Sequence, residues 1–203
     1  MDISYKGANC VVIKSKKTVQ VIDPTANIKV SELNNPDAII LATQADFVPD
    51  SAGFVIDMPG EYEHNDVSIR GIAMKRHIDP DGQAATAYRV DLDGIKTVIV
   101  GHIAAPISDD DLETIGMVDV VIVPVGGGGY TLDARDAAMV ARQLAPKVIV
   151  PTHYADASVK YEVPQEDVDL FIKEIGGAHE KVGNLKLKSG ALPEVMTVYE
   201  LSR

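Results

Sequence analysis

The chain is poor in the residues that fasten proteins outside the reducing cytoplasm or inside a bilayer. It has one cysteine, Cys10, so no internal disulfide can form, and its neighbours Val11, Val12 and Ile13 mark it as a core residue. No apolar run approaches the roughly 18 residues that a membrane span requires. Met1-Asp2-Ile3-Ser4-Tyr5-Lys6 lacks the basic and then apolar order of a secretory leader. A cytoplasmic address is the resulting expectation. Basic residues are scarce too: 19 Lys and Arg stand against 30 Asp and Glu, for a net charge of −11. Holding phosphates needs clustered cations, so neither nucleic acid nor an anionic membrane surface is an expected partner. The one basic group, Lys14-Ser15-Lys16-Lys17, reads as a solvated turn. There is no nucleophile elbow, no nucleotide fingerprint and no cationic setting that would activate Cys10. No Pro/Ser-rich linker or low-complexity tract divides the 203 residues, which predicts a single domain over 1–203.

What the chain does have is an ordinary globular balance, 46% hydrophobic and 24% charged. Its first half alternates short β-rich runs with turns. Cys10 to Ile13 and Thr18 to Ile22 pair as a hairpin, and Asp23-Pro24 ends the second strand because proline cannot donate to a ladder. Further strands are predicted over 38–42, 54–56, 61–63, 67–72, 86–92 and 96–100, joined by turns such as Met58-Pro59-Gly60, Pro80-Asp81-Gly82 and Asp93-Gly94. The second half alternates strand and helix. Helices are predicted from Ser108 to Ile115, Thr131 to Leu144 and Pro164 to Ile175, the last two from apolar stripes at spacings of three and four. Strands are predicted over 118–124, 148–151, 185–187 and 196–201. Two sheets between helical layers would bury both kinds of apolar face.

Three histidines fall at strand ends: His77, His102 and His153. Neutral imidazoles so placed can build a metal site. The stretch where a dense His/Asp group would complete it reads Thr43-Gln44-Ala45-Asp46-Phe47-Val48-Pro49, with no histidine. A lone histidine at a strand end is also an ordinary hydrogen-bonded structural residue, and His102 is read that way. His64 and His179 sit in turn-like settings and are expected to be exposed. Gly126 to Gly129 precedes the Thr131 helix. It is either a turn that needs positive φ angles or an anion cradle of backbone N–H groups. In the second case Gly127 and Gly128 would take the anion, with Arg76 as counter-charge and Tyr154 beside His153 as further contacts.

Five segments, in order, resemble the metallo-β-lactamase fold, in particular its small branch that includes ascorbate-6-phosphate lactonase and metal-dependent hydrolases. They are Val21-Ile22-Asp23-Pro24, Ile39-Ile40-Leu41-Ala42-Thr43, Pro59-Gly60-Glu61-Tyr62-Glu63, Asp119 to Gly127, and Val148-Ile149-Val150-Pro151-Thr152-His153-Tyr154. The resemblance implies an α/β (α+β) fold, a four-layer αββα sandwich, with a site at the strand ends. It also implies the motif T-H-x-H-x-D-H after the strand ending at Ala42. There Gln44 and Asp46 stand for the first metal's histidines, and Val48 and Pro49 for the second metal's aspartate and histidine. His77 matches the first metal's third ligand, His153 matches the second metal's last ligand, and Ala105 stands for the bridging aspartate of H-x-G-D. One imidazole cannot hold a second cation.

The expectation is therefore a hydrolase-like scaffold with an eroded dinuclear centre and no cofactor, acting as a binding or assembly module for a small molecule or a protein, with homo-oligomers left open. The alternative is a divergent mononuclear hydrolase of a small substrate, phosphorylated or not. It would hold one divalent Zn, Mn or Fe ion by Asp46, His77 and Gln44, with His153 as general acid or anion contact.

Overall fold

A computed structural model of the chain describes residues 1–25, 27–50, 53–78 and 84–203. The chain runs through β1 (Asp2–Gly7), β2 (Cys10–Lys14), β3 (Val19–Ile22), β4 (Ile39–Leu41), β5 (Phe54–Ile56), β6 (Gly60–His64), β7 (Val67–Lys75), β8 (Ala84–Leu92) and β9 (Ile95–Ile99). It continues through α1 (Asp109–Ile115), β10 (Val120–Pro124), α2 (Ala134–Leu144), β11 (Val148–Thr152), α3 (Val168–Ile175), β12 (Ala178–Val182), β13 (Leu185–Lys186) and β14 (Thr197–Leu201).

The strands form two sheets, in the orders β13-β1-β2-β3-β4-β5 and β12-β14-β11-β10-β9-β8-β7-β6. Each mixes a parallel part with an antiparallel part: β3, β4 and β5 run parallel, as do β9, β10, β11, β14 and β12. Alternation along the first sheet explains its two buried faces. Val11, Ile13, Ile22, Ile39 and Leu41 join the main core with Ile69, Tyr88, Val90 and Ile122 of the second sheet. Cys10, Val12, Val21 and Ile40 point the other way, into a smaller cluster with Ile28 and Val30. A 3₁₀ turn, Ser31–Asn34, packs on β3 on that side. Over the second sheet, α2 packs on β10 and α3 packs on α2. This is the αββα sandwich with mixed α/β content. Among the described residues no helix is long and apolar enough to cross a membrane.

Several elements differ from the sequence expectation. β1 was not expected, although Ile3, Tyr5 and Gly7 are buried and Asp2, Ser4 and Lys6 are not. Its apolar signal is only two large side chains. β12 was not expected either: Ala-His-Glu-Lys-Val is an edge strand with no buried residue, so no hydrophobic period marks it. α2 starts at Ala134 rather than Thr131, because the Asp133 side chain accepts from the Asp136 N–H and caps it. α3 starts at Val168 rather than Pro164, because Asp167 caps it. The residues that precede it cross the glycine run instead: the Glu166 N–H donates to Gly126 O at 2.7 Å. His64 and His179 are half-buried and partnered, not exposed in turns. His64 ends β6 and stacks on Phe54, and His179 lies in β12, 3.0 Å from Glu200. The expected turn Pro80-Asp81-Gly82 lies outside the described residues.

A crevice of imidazoles and tyrosines at the strand ends

Six connections leave the C-terminal ends of β3, β4, β7, β9, β10 and β11 and meet between the sheets. Their backbone positions come first. β7 runs on to Lys75, so Arg76 and His77 follow the strand directly. The His77 N–H donates to His102 O at 2.9 Å, and the Ala104 N–H to Lys75 O at 2.8 Å. These bonds hold the His77 and His102 segments side by side.

Asp23, after β3, is fully buried with φ +42°. Its carboxylate accepts from the Thr43 N–H at 2.6 Å, the Thr43 hydroxyl at 2.7 Å and the Asn9 amide at 2.5 Å. Asn9 in turn accepts from the Thr152 hydroxyl at 2.6 Å. One buried acid thus ties the ends of β3, β4 and β11 together. Burial pushes its carboxyl up to about 6, and the Thr43 and Asn9 hydrogen bonds oppose that rise. Gly101, after β9, makes the junction possible. Its φ is +65°, and a Cβ there would lie 2.6 Å from Thr43 Cβ.

His153, after β11, adopts φ +51°, and its N–H donates to Ala8 O at 2.7 Å. Gln165 Nε2 donates to Val163 O at 3.0 Å, which turns Gln165 Oε1 toward His153 Nδ1, also at 3.0 Å. Nδ1 therefore carries the proton. Nε2 keeps the lone pair in the neutral ring, the form that burial favours by lowering the pKa. His102 is buried beside it, with ring centroids 5.1 Å apart and planes at 89°. Burial, then the charges of His153, Arg76 and His77, holds His102 well below the usual imidazole range. The expectation of a hydrogen-bonded structural histidine fails here. Among the described residues neither ring nitrogen of His102 has a hydrogen-bond partner. Rings surround it instead: Phe47 at 5.1 Å and Tyr130 at 5.2 Å. Tyr130 also stacks on His153 at 5.5 Å, and Tyr161 tilts against His153 at 5.3 Å. A cavity of about 640 Å³ opens on this wall, lined by Phe47, Tyr130, His153 and Tyr161 with Asp46 and Glu162.

The residues singled out in the sequence are only partly brought together. Gln44 is buried, and its Oε1 has no hydrogen-bond partner among the described residues. Asp46 is exposed and accepts from Arg76 Nη2 at 2.9 Å, so the counter-charge of Arg76 is used within the chain. His77 is half-buried. Val48 and Pro49 line the cavity. Tyr154 points into the core, where its hydroxyl donates to Leu201 O at 3.2 Å and its ring stacks on Tyr5. Gly127 and Gly128 have φ near +62° and +66°, the angles a turn there was expected to need. Residues 164–166 roof them: a Cβ on Gly128 would sit 2.5 Å from Pro164 O, and one on Gly127 would sit 3.3 Å from the Glu166 carboxylate. Among the described residues no three His, Cys, Asp or Glu side chains group so as to hold a metal ion. Sequence reasoning missed Asn9, Phe47, Tyr130, Tyr161 and Gln165. Asp23 was in view only as a strand end. Nothing local marks Tyr161, which reaches the site from a loop beyond β11.

This fold and this placement of loops define the metallo-β-lactamase class. The chain belongs to the beta-lactamase superfamily, whose domain model matches residues 2–153. It is similar to a candidate zinc-dependent hydrolase of the metallo-β-lactamase superfamily from Thermotoga maritima, with a TM-score of 0.77, 27% identity and 99% of both chains covered. It is 32% identical over 125 residues to a UPF0173 metal-dependent hydrolase of Thermococcus onnurineus, covering 59% of this chain and 52% of that one. It is 31% identical over 95 residues to a UPF0173 metal-dependent hydrolase of Natranaerobius thermophilus, covering 47% of this chain and 40% of that one. The matches thus span about half or less of these two curated relatives.

Proposed function

We propose that this chain is a small-molecule-binding module built on a metal-dependent hydrolase scaffold, its dinuclear centre eroded. The observation that carries the reading is the cavity lining. Where the resemblance implies the second cation's aspartate and histidine, Val48 and Pro49 face the cavity without a donor atom. The remaining donors do not fit a pair of cations. Asp46 is engaged by Arg76, and the Asp23 carboxylate accepts from three donors. The concave, ring-lined cavity with a few polar groups is the usual form of a small-molecule site.

One feature favours the second reading, a single ion at Gln44, Asp46 and His77: Gln44 Oε1 is buried and unpartnered among the described residues. Elemental analysis of untagged protein, dialysed with zinc, manganese or iron and then against buffer, separates the two. The binding-module reading expects less than about 0.1 ion per chain. About one ion per chain, lost in His77→Ala, overturns it in favour of the mononuclear hydrolase.

A further inference from the structure

We infer that the cavity selects a protonated organic amine, its charge held against the tyrosine faces and its N–H groups donated to His153 Nε2. The inference rests on the binding-module reading and names the class of ligand.

Three independent features converge on it. The first is the wall. Phe47, Tyr130 and Tyr161 line the cavity around His153, and aromatic faces attract cations and repel anions. The second is the charge of the rim. Among the described residues Asp46, Asp50 and Glu162 line the cavity with a single cation, Lys160. Arg76 neutralises Asp46, which leaves two carboxylates against one ammonium. Burial raises the Tyr130 hydroxyl first, the Glu162 charge adds to the rise, Arg76 opposes it, and Asp46 and Asp23 add smaller contributions. An anion entering here would meet carboxylates first, and the net charge of −11 enriches cations around the whole molecule. The third is hydrogen-bonding polarity. The Gln165 contact leaves Nε2 of His153, which lines the cavity, as an acceptor that an N–H donor on the ligand matches. Gly127 and Gly128 do not supply an anion site in compensation, because the Glu166 carboxylate and the Pro164 carbonyl crowd them.

A matched series of equal carbon number tests this: n-butylammonium, butan-1-ol and butyrate, titrated into the metal-free 203-residue chain and followed by NMR of the histidine ring protons. The expected order is butylammonium at least about tenfold tighter than butanol, the fold-change of a desolvated cation on an aromatic face, with butyrate weakest. Tyr161→Leu should bring the amine-to-alcohol ratio near one, whereas Tyr161→Phe, which keeps the ring, should preserve it. An unchanged urea midpoint in Tyr130→Leu together with a lost preference would show that the effect is not misfolding. Equal affinity for amine and alcohol, tighter butyrate, or no saturable shift with any of the three overturns the ligand class. About one ion per chain in the elemental analysis of protein dialysed with metal overturns the parent reading instead, so the two failures are told apart.

Discussion

Substituting Gly101 by alanine should damage the junction that ties Thr43 to the buried Asp23 carboxylate. Gly101 sits at φ +65°, a region where a Cβ costs about 1 to 2 kcal/mol. The new Cβ would also lie 2.6 Å from Thr43 Cβ, 2.7 Å from Cγ2 and 2.8 Å from Oγ1. Thr43 cannot retreat freely, because its backbone and hydroxyl both donate to the buried Asp23 carboxylate and its carbonyl accepts from the Thr86 N–H. Overpacking of a fixed neighbour costs about 1 to 3 kcal/mol, and weakening a hydrogen bond to a buried charge about 1.5 to 3 kcal/mol. These overlap, so the expected loss is about 3 to 6 kcal/mol, a large share of a typical stability of about 5 to 15 kcal/mol. Urea unfolding followed by circular dichroism measures it. Thr43→Gly supplies the control, since it removes all three clashing atoms. In that background Gly101→Ala should cost only the dihedral penalty of about 1 to 2 kcal/mol. A loss below about 1 kcal/mol in the wild-type background would refute the idea that this contact locks Asp23.

Other consequences are open to measurement. Because the Asp23 carboxyl stands at about 6 in the fold against 3.8 for a free side chain, the native state binds its proton more tightly. Its contribution should therefore fall by about 3 kcal/mol as pH rises from about 4 to about 6, and Asp23→Asn should remove that component and leave the opposite slope of the buried histidines in urea midpoints. His102 and His153 work in the opposite sense, since burial lowers both. Their contribution is complete above about 6.5 and is lost as pH falls below it. The wild type should thus vary less with pH than His102→Phe or Asp23→Asn. His102→Phe should also raise stability by about 1 to 3 kcal/mol at pH 7, because it removes two buried, unpartnered nitrogens and keeps a ring against Phe47 and Tyr130. A lower midpoint would show that those nitrogens are bound. Cys10 is buried, and burial pushes its thiol far above the ordinary range. It should therefore react with a thiol reagent at the rate of global unfolding and no faster, which a comparison of the two rates would check.

The sequence by itself determined the scaffold. Val120 to Pro124 and Val148 to Thr152 are β-branched runs buried on both faces, and Ala137, Val140, Ala141 and Leu144 fall on one helical stripe. Such patterns are local and survive in one dimension. Val48 and Pro49 were legible for the same reason: a missing donor atom is a property of one residue. What only the tertiary structure decided is which groups meet. His102 looked like a structural residue until the fold set it against His153, with no hydrogen-bond partner for either ring nitrogen among the described residues. Asp23 looked like the end of a strand until Thr43 and Asn9 closed on it. Gln165 looked helical until Asp167 capped α3 beyond it and freed its amide to orient an imidazole. Those meetings arise from parallel strands that deliver distant loops to one edge, and no periodicity in the chain records which loops will touch.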